Sequence, residues 1–334
     1  MASGPTALLS VSAIPDNRDM PDKLHLIIAG AVLPQSIGEA APPLPPLTPN
    51  LRALLAAMTP EGRIECSEDD PSTPFELALA QANGLPGDPG QIPWAAFESG
   101  SIGLPCAFIT LCHWQVGADH VRLSPPEDLA LDEEASLTLL AAMAPYFLED
   151  GITLAPYGSL PDTWLATGEV FRGLRSVSMD TLMGRHLTRS LLDGASTPAA
   201  TLRRLQNEMQ MLLYTHPTNE KRQQRGLAPV NSFWVSGAGV LDHAIAFASD
   251  VQVESRLQAP ALRRDATAHA RAWQAVDADA CAALLAVLRA GGRARLTLCG
   301  ERAAQSFVPA GNGLWPKIKH VLGLQPIWDG REQL

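Results

Sequence analysis

Apolar positions along the chain follow two rhythms. Short, nearly unbroken apolar runs of strand length occur at Leu24–Ala29 (LHLIIA), Pro105–Trp114, Val121–Leu123, within NSFWV (231–235) and at Arg295–Cys299 (RLTLC). Such runs suit strands buried on both faces, as in a parallel sheet. Helical spacing separates them. Leu51, Leu54, Leu55 and Met58 follow Thr48-Pro49, a cap and a first-turn proline. A second helix is expected over Phe75–Ala82. A third starts at Asp132, Glu133 and Glu134, where acidic groups oppose the positive helix end, with Leu137, Leu140 and Met143 or Ala144 on its apolar side. Thr197-Pro198 opens a helix whose buried stripe is Leu202, Leu205, Met209, Leu212 and Leu213. Pro217 stops it at His216. Asp277–Leu288 forms a further helix, closed by Gly291 and Gly292.

Strand and helix therefore alternate as in an open α/β sheet. The stretch His216–Val240 (HPTNEKRQQRGLAPVNSFWVSGAGV) reads as a helix end, a charged turn and a buried strand, with Gly237 and Gly239 turning sharply into a loop. An asparagine and two glycines about such a strand suit a ligand crevice. Leu241–Val253 is expected to continue the sheet and RLTLC to be its last clear strand. Residues 1–22 read as a loose leader, and the proline-rich Pro42–Pro46 as an extended loop. The tail from Gly311 to Leu334, with Trp315, Pro316, Ile318, Val321 and Trp328, carries enough apolar surface to dock.

At 334 residues the chain exceeds one ordinary domain, and 46% hydrophobic against 18% charged residues marks it as globular. A net charge of -10 excludes non-specific binding to nucleic acid or to an anionic membrane. No apolar run reaches the roughly 20 residues of a membrane span. Cys66, Cys106, Cys112, Cys281 and Cys299 are odd in number and form no C-x-x-C pair. They read as reduced core residues of a cytoplasmic protein.

The pattern His216, Pro217, Asn219, Arg222, Gly226, Pro229, Asn231, Trp234, Gly237, Gly239 resembles a signature of the archaeal-type cofactor-independent phosphoglycerate mutases of the alkaline phosphatase superfamily. Thr48-Pro49-Asn50-Leu51 is similar to that superfamily's TPNL helix start, and WAAFESGSIGLPCAF (94–108) to the mutases' EA-x-GAGI…VAF segment. QNEMQMLLYTHP and CHWQVGADHVRL bring the chain closer to the proteobacterial regulatory proteins called RpfE. This resemblance, over roughly residues 24 to 310, implies an α/β fold: an alkaline-phosphatase-like three-layer sandwich with a mostly parallel central sheet, helices on both faces, and an inserted smaller α+β domain. The sandwich would comprise 23–99 and 200–334, and the insert 100–199.

It also implies where a two-metal phosphoryl-transfer centre would fall. Such a centre neutralises phosphate oxygens and activates an alkoxide. The family's first ligand, an Asp before Gly, is Ala29 before Gly30 here. The family's Gly-Asp-His is Gly300-Glu301-Arg302, which puts a fixed positive charge where a cation would sit. DPSTPFELAL matches the nucleophile region, with Ser72 at the nucleophile and Thr73 and Glu76 replacing Asp and His; Ile109 stands at a substrate arginine. The expectation is a degenerate phosphoglycerate-mutase-like protein with no metal and no cofactor, regulatory or binding rather than enzymatic. Its partner would be a small phosphorylated metabolite or a regulatory protein. The alternative is an active phosphomutase or phosphohydrolase using Ser72 with Mn or Zn, and with Glu301 and Asp119 or His120 about one metal.

Each candidate has a plainer reading. Ser72 between prolines is a turn residue. Cys112, His113, Asp119 and His120 fit no structural zinc spacing and read as strand-turn-strand, His113 and Asp119 satisfying each other or backbone. Asp119, His120 and Arg122 remain a possible ligand contact. His216, Asn219, Arg222 and Asn231 either line the crevice or pin the helix-turn-strand junction, Asn to backbone and Arg to an acidic neighbour. Arg203, Arg204, Lys221, Arg222 and Arg225 read as a solvated basic face.

Overall fold

The computed structural model describes residues 22–34, 47–67, 69–116, 121–124, 126–183, 197–310, 331 and 334. In chain order the elements are β1 (Lys23–Ile28), α1 (Pro49–Ala57), β2 (Met58–Glu65), α2 (Pro74–Asn83), α3 (Trp94–Ser99), β3 (Cys106–Cys112), β4 (Trp114–Val116) and β5 (Val121–Leu123). Then come α4 (Glu133–Glu149), β6 (Thr153–Tyr157), β7 (Leu160–Thr167), α5 (Met179–Met183), α6 (Thr197–Tyr214), α7 (Pro217–Gln224) and β8 (Ser232–Gly239). The last are β9 (Val251–Glu254), α8 (Gln258–Leu262), α9 (Ala266–Val276), α10 (Ala282–Arg289), β10 (Arg293–Cys299) and β11 (Ala303–Pro309). These elements form two compact units.

One unit holds 22–67, 73–83 and 246–310. Its five-stranded sheet has the order β2-β11-β10-β1-β9. β9, β1 and β10 are parallel; β11 is antiparallel to both β10 and β2, so it alone opposes the other strands. Alternate residues of β1 and β10, namely Leu24, Leu26, Ile28, Leu296 and Leu298, join Leu51 and Leu54 of α1 and Leu284 of α10 in one core. Helix α2 packs against β1, β2, β10 and β11 and lines the other face, where His25 and Thr297 point. The mixed α/β class with a mostly parallel central sheet is thus observed.

β11 follows the strand expected to be last, and β2 was not foreseen either. β2 (MTPEGRIE) carries Pro60 and Gly62, tolerated because it is an edge strand. Met58, expected on the face of α1, is buried as the first residue of β2, beside Pro309.

The other unit holds 69–72 and 84–245. Its four-stranded sheet, β6-β7-β3-β8, is antiparallel throughout, and β4-β5 form a separate ribbon. β8 pairs with β3, so the run after Gly239 does not continue β8's sheet: 241–250 is irregular and Val251–Glu254 belongs to the five-stranded sheet. Residues 84–99 and 200–245 lie with the four-stranded sheet. Its core joins Ile109, Leu111 and Phe233 to Leu139, Met143 and Phe147 of α4 and Leu205, Met209 and Leu213 of α6. α4 is rotated relative to expectation. Ser136, Leu139, Met143 and Phe147 face inward, whereas Leu137 is 45% exposed. Among the described residues no helix is long and apolar enough to cross a membrane. All five cysteines are buried and unbridged.

Candidate functional site

The stretch around His216–Gly239 folds as two helices and a strand. α6 ends at Tyr214 and α7 begins at Pro217, so the segment expected to be a charged turn is helical. His216 caps α7. Its Nδ1 accepts the Thr218 N–H at 3.2 Å, and Pro217 fits the first helical position, whose N–H needs no partner. Burial pushes the imidazole below its ordinary pKa.

Asn219 is 3% exposed and fully engaged by backbone. Its Nδ2 donates to the carbonyls of Leu213 (2.8 Å) and Val230 (2.7 Å), and its Oδ1 accepts the Val230 N–H (2.8 Å). The Arg222 guanidinium, also 3% exposed, donates from Nε (3.0 Å) and Nη2 (2.9 Å) to the Ala228 carbonyl and from Nη2 to that of Leu129. Its hydrogen-bond partners are carbonyls rather than the acidic neighbour expected from sequence. Desolvation lowers its pKa. Asn231 accepts the Trp114 N–H (2.7 Å) and donates to the Trp114 carbonyl (2.9 Å), extending the β3–β8 pairing by a side chain. His113 Nδ1 bonds the Pro229 carbonyl (2.8 Å). Gly237, at φ +62°, admits Trp94, whose Cβ would lie 3.0 Å from an added methyl. These residues do converge, and what they hold is the chain itself. Asp119 and His120 lie outside the described residues, as does the side chain of Arg122.

Ser72 belongs to the same unit and is 4% exposed; its Oγ accepts the Gly90 N–H at 2.9 Å. The next residues form a capping box at the start of α2. Glu76 Oε2 accepts the Thr73 N–H (2.9 Å), and Thr73 Oγ1 accepts the Glu76 N–H (3.2 Å). Ile109 is wholly buried in β3.

Glu301 and Arg302 sit in the other unit, in the tight turn from β10 to β11, closed by Gly300 N–H to the Ala303 carbonyl at 2.9 Å. Leu334 packs there. Its carbonyl accepts the N–H groups of Arg302 (2.7 Å) and Ala303 (2.9 Å), and a Cβ on Gly300 would lie 2.6 Å from its side chain. Across the C-terminal ends of the parallel strands, Ala29 follows β1 and donates its N–H to the Glu254 carbonyl (2.9 Å) at the end of β9. His269 Nε2 bonds the Gly30 carbonyl at 2.8 Å.

Sequence reasoning passed over the principal charged cluster at this edge. Glu254 is 1% exposed and its two carboxylate oxygens take Arg256, Nε to Oε1 at 2.8 Å and Nη2 to Oε2. Arg256 turns its other edge to Asp279, with Nη1 and Nη2 each at 2.7 Å from a carboxylate oxygen. The guanidinium pKa is raised by both acids, and Asp279 is held below its ordinary value, first by Arg256. The available signal was an acid closing a short strand with two valines, VQVE. Asp277, expected only to begin its own helix, has a role that sequence reasoning did not foresee. Its carboxylate caps α1 from a π-helical turn, accepting the N–H groups of Leu51 (2.8 Å) and Asn50 (3.2 Å) and the Thr48 hydroxyl (2.6 Å). Thr48, expected to cap α1, makes no such bond itself. Among the described residues no group of three or more His, Cys, Asp or Glu is placed to hold a metal.

The class defined by these observations is a mixed α/β protein with a mostly parallel sheet. Neither a protein-family model nor a curated protein matches the chain. Among solved structures, it is similar to the cofactor-independent phosphoglycerate mutase from Thermoplasma acidophilum DSM 1728, over 87% of this chain and 91% of that one, with 12% identity and a TM-score of 0.36. It is also similar to the PH0037 protein from Pyrococcus horikoshii, over 87% and 88%, with 12% identity and a TM-score of 0.41. These are loose likenesses of folding pattern, and they carry no weight for the chemistry of the site.

Proposed function

We propose that this chain is a phosphoglycerate-mutase-like protein that has lost its two-metal centre and serves as a cytoplasmic regulatory or binding protein, akin to the RpfE proteins its sequence resembles. The observation that carries this reading is the engagement of Glu254 and Asp279 by Arg256 at the C-terminal edge of the parallel strands. A permanent cation already engages both acids that stand there, and a metal ion would have to displace it to reach their oxygens. The methyl group of Ala29 and the buried, backbone-bound Ser72 Oγ support the same reading.

The test combines metal analysis with assays. Protein purified without chelator is expected to hold no stoichiometric Mn or Zn, to hydrolyse no phosphoester, and to be stabilised by a small phosphorylated metabolite in a thermal-shift series. Stoichiometric metal together with phosphotransfer abolished by Ser72→Ala would establish the enzymatic alternative instead.

A further inference from the structure

The face of the five-stranded sheet lined by α2 carries a cavity of about 810 Å3. It lies towards the N-terminal ends of β1 and β10, the opposite end from Ala29 and Gly300, and its chemistry is independent of the function proposed for that edge. The strand register creates it. Lys23 stands beside Arg293 and His25 beside Arg295, while Leu24, Leu26, Ala294 and Leu296 between them enter the apolar core. Two central strands therefore present one basic face and one apolar face. α2 leaves room above the basic face because Ala78 and Ala82, one helical turn apart, line the cavity with small side chains.

Among the described residues, four cations, Lys23, Arg63, Arg293 and Arg295, line this space against one carboxylate, Asp250, in a chain whose net charge is -10. Like charges on adjacent strands oppose folding unless something answers them. Lys23 pairs with Asp250 (2.8 Å), Arg63 with Glu65 (2.7 Å) and Arg295 with Glu61 (3.1 Å). These pairs are partly exposed and therefore weak, so the cations can re-pair with a ligand at little cost. The floor is polar: His25 Nε2 to Thr297 Oγ1 is 2.8 Å, and Thr297 Oγ1 to Ser306 Oγ is 2.9 Å. Burial and then Arg295 lower the His25 pKa to about 4, with Lys23 acting the same way and Asp250 against it. The imidazole thus senses a positive field from β10.

We propose that this cavity binds a small polyvalent oxyanion of metabolite size, phosphorylated or polycarboxylate, gripped by Arg63, Arg293 and Arg295 above the Thr297–Ser306 hydroxyls. Its volume falls in the usual range for small-molecule sites, roughly 300–1,000 Å3.

The test follows the His25 ring by NMR in the full-length chain, its resonance assigned through His25→Gln. Inorganic pyrophosphate and citrate are titrated separately at about 0.15 M salt, where loose surface binding is screened. Saturable binding of one probe, with the His25 pKa moving up as the anion offsets Arg295, is the expected result; the tighter probe identifies the oxyanion class. Arg295→Gln is expected to weaken binding at least about tenfold, the loss of a charge-assisted contact. Ala82→Met, which removes no charge and fills the cavity, is expected to abolish binding with circular dichroism unchanged. Saturation by neither probe, or wild-type affinity in a folded Ala82→Met protein, would overturn the proposal.

Discussion

Asn219 illustrates how a residue with a ligand-like address can be fully committed to its own backbone. Its amide satisfies three buried backbone groups, those of Leu213 and Val230, with its NH2 donors spent on carbonyls. Asn219→Ala should therefore cost about 2–3 kcal/mol, because the groups left behind stay buried and unpaired. The urea midpoint would drop with an unchanged slope; a loss below about 0.5 kcal/mol would contradict the geometry. The identity of these residues was readable in the sequence, but their role was not. A buried amide looks the same on the page whether it faces a carbonyl or a ligand, and only the Asn219 and Asn231 partners decide it. Thr73 and Glu76 were readable as a T-x-x-E capping box.

At the scale of elements, spacing found β1, the helices around Leu51, Leu205 and Leu284, and the β3 and β8 runs, because long apolar stripes dominate local pattern. Among the elements it missed are β2, β11 and α7. β2 and β11 lie towards one edge of their sheet, where partner strands supply order that side-chain periodicity does not announce. α7, made of polar residues throughout (PTNEKRQQ), is held by its His216 cap, Pro217 and the inward Asn219 and Arg222 instead of an apolar stripe. Asp277 shows the same principle in reverse. It lies 226 residues from Leu51, and no local rule links a carboxylate to a helix so distant in sequence. Asp277→Ala should destabilise by about 1–2 kcal/mol, the usual worth of an N-cap. Hydrogen exchange should accelerate first at the Asn50 and Leu51 amides, whereas uniform acceleration would mean that the carboxylate acts elsewhere.

For the whole molecule, composition spoke clearly on the thiols. All five cysteines are buried, and burial pushes the thiols of Cys112, Cys281 and Cys299 far up and that of Cys106 to about 11. Since the thiolate is the reactive form, the native chain should resist a thiol reagent at pH 8, and all five should react once urea unfolds it. Rapid modification of any of those four in the native state would show local opening at its strand or helix.

The order β2-β11-β10-β1-β9 also bears on how the chain is made. β1 and β2 are made before the strands they pair with, since β1's partners begin at Val251 and Arg293 and β2's at Ala303. Until then their hydrogen-bonding edges stay open, an invitation to wrong pairing. The four-stranded sheet is complete once Gly239 has emerged. Synthesis therefore favours maturation of the four-stranded sheet first, with β1 and β2 kept waiting for the strands that follow it.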